Sequence, residues 1–503
     1  MIRHFWQLLK DTAVYGLGKG ILIPLGLIAL PIFTRVFTPA EYGVIEIVIT
    51  MTALLGLFLI IGMDSASTRS YFDSSTHEHK REVISTGLWF LVAWNLLVVG
   101  IMLVCSGWIS SLAFSSSQYT DFLQIAFIAV SLSLLVAYCQ NTIRLHFSPW
   151  KFTVIALLNG ALTIGFSILF VLEFKLGLLG YFGGILVGNV ISLVPALYFI
   201  KEDFAFTFSS AKIKVMLSFG GPLVPASLAY YVLTMSARFF LLKFATVADV
   251  GLYSVAVKVS SIMLFFYMAF GLAWSPFVLK LYSASEETMK AVVRRTMKYL
   301  LIFFSLLAIF LTTFSQEVLR IFTTEPYFGA AIAIAPLCLG AVAYATTQVT
   351  ALGISLSRKT KYMALFSGIA AMTNLGLNAL MVPHWGILGA SIASAISYTV
   401  LTLGYYSAAR RLYPIGFDKG AILKICLACL LFVVIGSFMV FDSLVLGIFV
   451  KLAFILLFVP MLFLFRIFDP QEVVYIRQWF SGLGKVRSVS DLRDLVREQT
   501  GGK

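Results

Sequence analysis

Charge is what this sequence has least of. Only 12% of its 503 residues are charged, about half the share usual in a soluble domain, and that shortage excludes a chain whose surroundings are water alone. Cysteine is also scarce, at Cys105, Cys139, Cys338, Cys426 and Cys429. Cys426 and Cys429 are close in sequence but sit in an apolar run with no His or acidic neighbour. They read as small packing residues, and no disulfide is expected. No glycine-rich nucleotide loop occurs, which leaves direct use of ATP unsupported. The run after Met1 to Lys10 is too long for a signal-peptide core and lacks a small-residue cleavage pattern, so the first helix is expected to stay in the protein.

What the chain has is apolar length. It is 60% hydrophobic with a mean hydropathy of +0.95, and its apolar runs are each close to the ~20 residues that cross a bilayer core as a helix. Fourteen spans are expected, at 15–37, 42–63, 84–108, 122–140, 152–172, 177–200, 215–240, 252–275, 299–315, 329–352, 362–382, 386–407, 421–441 and 447–467. Runs such as Leu176 to Ile200 are apolar on all sides, unlike the alternating strands of a membrane barrel. The fold class is therefore an all-α polytopic membrane protein. Most of the 37 basic residues fall at the termini and in the loops after even-numbered spans. Arg35, Lys175, Arg238, Lys243 and Arg320 lie at the opposite face, and Lys19, Lys258 and Lys451 within spans. Both termini are thus expected in the cytoplasm. The net charge of +14 follows from this placement and from anionic lipid headgroups, so no nucleic-acid partner is expected.

Three ordered marks repeat at an offset of about six helices. Gly-x-x-x-Pro occurs at Gly20/Pro24 and Gly221/Pro225. A basic-x-x-Thr-x-Ala-acidic-x-Gly pattern occurs at Arg35, Thr38, Ala40, Glu41, Gly43 and again at Lys243, Thr246, Ala248, Asp249, Gly251. In both copies the Thr and the acid three residues later form the spacing of a capping box. Gly-x-x-Gly opens spans 6 and 12 at Gly177/Gly180 and Gly386/Gly389, where small residues permit close helix contact. An even number of spans per unit keeps the repeats parallel. Two pseudo-symmetric six-helix lobes are expected, 1–205 and 213–408, joined by a cytoplasmic linker at 206–212. Spans 13 and 14 (409–467) and an amphipathic cytoplasmic tail (468–503) follow. The polar stretch from Lys201 to Lys214 is the expected hinge connection.

The signatures Tyr15-Gly16, Pro31 to Gly43 (PIFTRVFTPAEYG), Gly62-Met-Asp64, Arg69-Ser-Tyr-Phe72 and Gly251 to Lys258 (GLYSVAVK) resemble the polysaccharide-transport branch of the multidrug/oligosaccharidyl-lipid/polysaccharide exporter superfamily. Asn374 to Ala390, with Asn374, Asn378, Pro383, Gly386 and Gly389, is similar to a second-lobe pattern of the whole superfamily. The resemblance covers spans 1 to 12. It implies two lobes around a central cavity that opens alternately to each side. It also implies an isoprenoid-diphosphate-linked oligosaccharide as cargo, such as an O-antigen or exopolysaccharide repeat unit, flipped across a bacterial inner membrane. Partners would be that lipid, membrane lipids and polysaccharide polymerase machinery. No cofactor is implied, and the coupling ion, H+ or Na+, is left open.

An anionic diphosphate calls for cations at mid-depth, where each charge costs about 3 kcal/mol and so marks function. Lys19 and Lys258 stand on different lobes and are expected to grip one headgroup from two sides, although Lys19 is also placed to snorkel. Glu46 answers to two roles: partner of Lys19 or coupling-ion ligand on one side, member of a structural ion pair on the other. Arg238 is expected near the outer end of span 7, where it either holds a phosphate of the cargo or sits at the headgroup level. Arg69 and Arg144 are expected on the cytoplasmic side, placed to meet an arriving lipid headgroup, although positive-inside placement accounts for them equally well. Gly20, Pro24, Gly221 and Pro225 are expected hinges, and Asn374 and Asn378 helix-packing glue. His77-Glu78-His79 reads as a solvated loop, and the many aromatics as girdle and lipid packing.

Two other functions compete. A multidrug extruder of the same superfamily would share both lobes but usually carries cations, which an unpaired basic site repels. A membrane glycan polymerase or ligase would need catalytic groups on a sizeable outer loop, and here the longest are Ser106 to Asp121 and Gln316 to Tyr327. The expectation is a transporter and not an enzyme.

Overall fold

The computed structural model describes residues 22–473 except 75, 147, 442, 469 and 471. Among the described residues every regular element is helical, as a lipid-embedded chain requires if each backbone N–H and C=O is to find a partner within its own segment. In chain order they are α1 (Leu22–Val36), α2 (Pro39–Ile60), α3 (Met63–Asp73), α4 (His77–Phe114), α5 (Thr120–Leu145), α6 (Pro149–Leu172) and α7 (Gly177–Phe199). Then come α8 (Ser210–Gly220), α9 (Val224–Met235), α10 (Ala237–Phe244), α11 (Val247–Ala284), α12 (Glu286–Thr313) and α13 (Ser315–Phe322). The last are α14 (Ala331–Ala345), α15 (Thr347–Thr350), α16 (Leu352–Leu356), α17 (Lys361–Leu412), α18 (Lys419–Ser437) and α19 (Leu444–Leu464).

Among the described residues, twelve helices are long and apolar enough to cross a membrane. Fourteen spans were expected, and the difference has two sources. The expected spans 11 and 12 both fall on α17, 52 residues long, which is broken at Gly386 where φ is 49°. The expected first span is represented by a shorter apolar helix, Leu25–Val36, because its beginning lies outside the described residues.

The two Gly-x-x-Gly marks do the same local work. Gly177 and Gly386 each take a positive φ, which a side chain would strain. Three residues on, a Cβ at Gly180 would lie 2.9 Å from the Phe170 backbone, and one at Gly389 2.5 Å from the Met381 carbonyl. The first glycine turns the chain and the second lets the new helix lie against the old one. Further along α7, Gly184 and Gly188 approach the backbone of Ser167 and Thr163 in α6 just as closely.

Helices α18 and α19 pack against α12. Lys451 of α19, 1% exposed, reaches both Glu317 carboxylate oxygens of α13, at 2.7 and 2.8 Å. At the other end Lys298 of α12 pairs with Glu472, and Lys424 donates to the Phe465 carbonyl at 3.0 Å. The extra helices are thus fixed to the second lobe at both of their ends. Most of the expected amphipathic tail lies outside the described residues.

The connection between lobes, the expected hinge connection, is strapped to α4. Arg81 of α4 donates to the Phe204 carbonyl from two nitrogens, at 3.0 and 2.8 Å. Ser85 accepts from the Ala205 N–H at 2.7 Å, Thr86 from the Ser209 N–H at 3.1 Å, and Lys212 pairs with Glu82. Trp89 packs its ring on Phe204 and Phe206. The interruption comes after this strap, where the expected hinge residue Gly221 opens a 3-10 turn, Gly221–Leu223, between α8 and α9, and Pro225 stands in the first turn of α9. Pro24 lies in α1; Gly20 lies outside the described residues.

Candidate functional site

Two capping boxes set the site. At the start of α2 the Thr38 side chain accepts from the Glu41 N–H, and the Glu41 carboxylate accepts from the Thr38 N–H. At the start of α11 Thr246 and Asp249 make the same reciprocal pair. With both helix starts pinned, residues four apart line one face of each helix. Tyr42, Glu46 and Thr50 descend α2, and Ser254 and Lys258 descend α11.

The two starts cross each other reciprocally. A Cβ on Gly43 would lie 1.9 Å from the Val247 carbonyl oxygen, and one on Gly251 2.1 Å from that of Pro39. Each copy of the repeated motif seats its glycine on the first helical residue of the other copy. Around this crossing Tyr327 donates to the Phe37 carbonyl at 2.7 Å, Thr324 to the Thr34 carbonyl at 3.0 Å, and Thr34 to the Phe322 carbonyl at 3.1 Å. The lobes are therefore closed on one another at the face opposite the basic loops.

Just inside this seal lies an ion cluster. The Glu46 carboxylate receives Lys258 Nζ at 2.9 Å on Oε1 and Arg238 Nη2 at 3.4 Å on Oε2. The Glu46 and Arg238 side chains are only 4% and 6% exposed, while Lys258 keeps 32%. Lys258 also donates to the Tyr42 hydroxyl, and Arg238 Nε to Ser254 Oγ at 3.1 Å. Tyr181 of α7 stands within electrostatic reach of Lys258. Two cations meet one carboxylate, so the cluster keeps a net positive charge. Both cations belong to the second lobe and the carboxylate to the first.

The short α10 turns Arg238 inward, where Ser254 and Glu46 take its donors. Glu46 finds its partners in Lys258 and Arg238; Lys19, its expected partner, lies outside the described residues. Arg69 and Arg144 are exposed. Arg69 rests on the Phe219 ring, 4.7 Å from its centroid, and faces Asp73 at 3.7 Å. Arg144 donates to Asn141 Oδ1 at 2.6 Å. Asn374 and Asn378 are fully buried and bonded to each other at 2.9 Å. Ser236 donates to Asn374 Oδ1 at 2.8 Å, so the pair glues α17 to the turn that presents Arg238.

Tyr42 lies within the repeated motif, and its hydroxyl joins the cluster because it stands one helical turn before Glu46. On either side of the cluster are cavities. One of about 230 Å³ in the first lobe includes Phe33, Tyr181, Asn159 and Asn189. In the second lobe, one of about 270 Å³ includes Arg238 and Tyr253, and one of about 550 Å³ continues beyond it.

A family model described as polysaccharide biosynthesis protein matches residues 8–282, and a second, MatE, matches residues 222–380. No curated protein sequence matches the chain. Among solved structures, "Lipid II flippase MurJ, inward closed conformation" superposes with a TM-score of 0.71 at 17% identity, over 89% of this chain and 98% of that one. An inward-facing multidrug resistance MATE family transporter gives 0.66 at 14% identity, over 79% and 95%. The Vibrio cholerae MATE transporter VcmN in its bent form gives 0.55 at 14% identity, over 82% and 98%. At these identities the likeness is one of fold.

Proposed function

The chain belongs to the polysaccharide biosynthesis protein family, a transporter family of the multidrug/oligosaccharidyl-lipid/polysaccharide exporter superfamily, and from that premise we propose that it flips an isoprenoid-diphosphate-linked oligosaccharide. The movement is from the cytoplasmic to the outer leaflet of a bacterial inner membrane, with both termini cytoplasmic, by alternating access. One observation carries the reading: Glu46 of the first lobe is held by Lys258 and Arg238 of the second, directly under the closed seal.

Parting the lobes at the outer face must separate Glu46 from its cations. Removing one partner from a buried ion pair costs about 3–5 kcal/mol, so the lobes stay together until something else meets the charge. A diphosphate does this. Its oxygens take the donors of Lys258 and Arg238, the two cations remain compensated, and Glu46 is released with its lobe. The cargo thereby has the differential affinity for the two states that any ligand-driven change requires. Lys258, one-third exposed, is the group placed to meet it first. With the cations empty again after release, Glu46 returns and the seal re-forms; H+ or Na+ is the candidate coupling ion, compensating Glu46 while it is apart from its cations and leaving before it returns. The glycan, an O-antigen or exopolysaccharide unit, would then pass to polymerase machinery.

A cationic drug finds no such trigger, because the cluster has one anion already matched by two cations. The test is delivery of a fluorescent diphosphate-linked oligosaccharide across proteoliposomes by wild type, Lys258→Ala and Arg238→Ala. Transport is expected in the wild type and lost in both variants at normal folding. Efflux of a cationic dye with no lipid movement would make the protein a multidrug extruder.

A further inference from the structure

The second lobe holds far more enclosed space than a diphosphate needs, and that space has a distinctive lining. The cavity at Arg238 and the larger one beyond it share Tyr230, Tyr267 and Tyr344. Arg238 is the one charged residue in either lining among the described residues. The rest mixes aromatic rings and aliphatic side chains with hydroxyls and an amide. Tyr267 and Tyr344 pack with ring centroids 4.8 Å apart, and Tyr344 and Tyr398 at 5.1 Å. Tyr405 shares a hydrogen bond with Ser367 at 2.9 Å. Trp274, 5% exposed, also lines the larger cavity, and its indole N–H has no acceptor among the described residues.

We infer that this chamber is the glycan subsite: it takes the sugar rings of the cargo while the diphosphate sits at Arg238 and Lys258. The inference rests on the flippase reading and adds where the sugar goes. Sugars present apolar C–H faces and a ring of hydroxyls, which match flat aromatic faces edged by Tyr, Ser, Thr and Gln groups able both to donate and to accept. A lipid tail would leave the Trp274 indole N–H unanswered in a dry cavity. A drug cation would gain from the rings but would meet Arg238 and no carboxylate. At about 550 Å³ the larger cavity falls within the usual range for small-ligand sites, about 300–1,000 Å³. Among the described residues, the first-lobe cavity beside the cluster is under half that volume and has Tyr181 and Phe33 as its aromatics.

The test compares three probes on the purified full-length protein in nanodiscs: polyprenyl diphosphate without sugar, the lipid-linked oligosaccharide extracted from the cells that make this protein, and the free oligosaccharide. The wild type is expected to bind the sugar-bearing lipid more tightly than the bare one. Tyr267→Leu combined with Tyr344→Leu is expected to erase about tenfold of that preference, the size of two lost aromatic contacts, with bare-lipid affinity unchanged. Trp274→Phe, milder for folding, should trim the same preference in the same direction. Equal affinity of the wild type for both lipids would overturn the chamber and leave the flippase reading standing. Equal loss of both lipids in the variants would also overturn it, as a structural effect. If neither lipid binds but the free oligosaccharide does, and the Tyr variants abolish that binding, the chamber stands and the flippase reading falls.

Discussion

The two lobes share a frame and divide the chemistry between them. Aligned on the repeated motif, both second helices start with the same capping box and the same crossing glycine. Where the first lobe has Glu46 the second has Ser254, where the second has Lys258 the first has Thr50, and Arg238 stands opposite Leu30. None of the three charges has a charged counterpart. Had each lobe carried both signs, each could have neutralised itself, and the seam would have no electrostatic reason to stay shut. Placing the carboxylate on one side and the cations on the other makes closure and charge compensation the same event.

Breaking that division should give the largest effect. Glu46→Ala leaves Lys258 and Arg238 facing each other, and the expected loss of stability is near the lower end of about 3–5 kcal/mol, because Lys258 retains some solvent. Thermal unfolding in nanodiscs reads it. Adding Ser254→Glu to Glu46→Ser moves the carboxylate into the lobe of the cations, within reach of Arg238. Stability should return while the outer seam opens to a thiol reagent at a cysteine placed at Ala248. A double variant as unstable as Glu46→Ala would show that the two positions are not interchangeable.

The next effect comes from the shared frame. Gly43→Val and Gly251→Val each drive a side chain into the backbone of the other lobe. Overpacking of this kind costs about 1–3 kcal/mol, or 5–150-fold in the population of the closed state, and the top of that range is expected. Because the crossing is reciprocal, the two variants should slow transport alike. Gly100→Ala, with nothing within 4 Å, is the control. Unequal effects would mean that only one half of the crossing bears on closure.

Helix type, the repeat, the capping boxes and the glycine marks were legible in sequence because each is local: a spacing of three or four residues fixes it. Glu46 and Lys258 were legible as charges in apolar helices. Their partnership was not, since 211 intervening positions say nothing about which faces meet, and Lys19 lies outside the described residues. The inward aim of Arg238 was not legible for a specific reason. Counting along a span assumes a straight helix, but the segment is broken at Gly221–Leu223 and turns again at Ser236, so its end points inward. The chamber's tyrosines come from four separated helices, α9, α11, α14 and α17, and composition cannot distinguish rings that face lipid from rings that face a cavity.

The smallest effect should come from the arginines at the basic face. Arg69 and Arg144 share the sign of Arg238 but not its surroundings: both are exposed, and the Arg69–Asp73 pair is more than 60% exposed on each side. Exposed ion pairs are worth about 0–1 kcal/mol. Arg69→Gln and Arg144→Gln should therefore change transport less than about fivefold at physiological salt, and lowering the salt should widen the gap to wild type. The Phe219 contact adds a geometric reason to expect a residue of effect at Arg69 alone, because Phe219 belongs to α8 and so ties Arg69 to the lobe beyond the strap. If Arg144→Gln instead abolished transport as Arg238→Ala should, cargo capture would begin at the basic rim, and burial at the seam would not be what separates the arginines that move cargo from those that orient the chain.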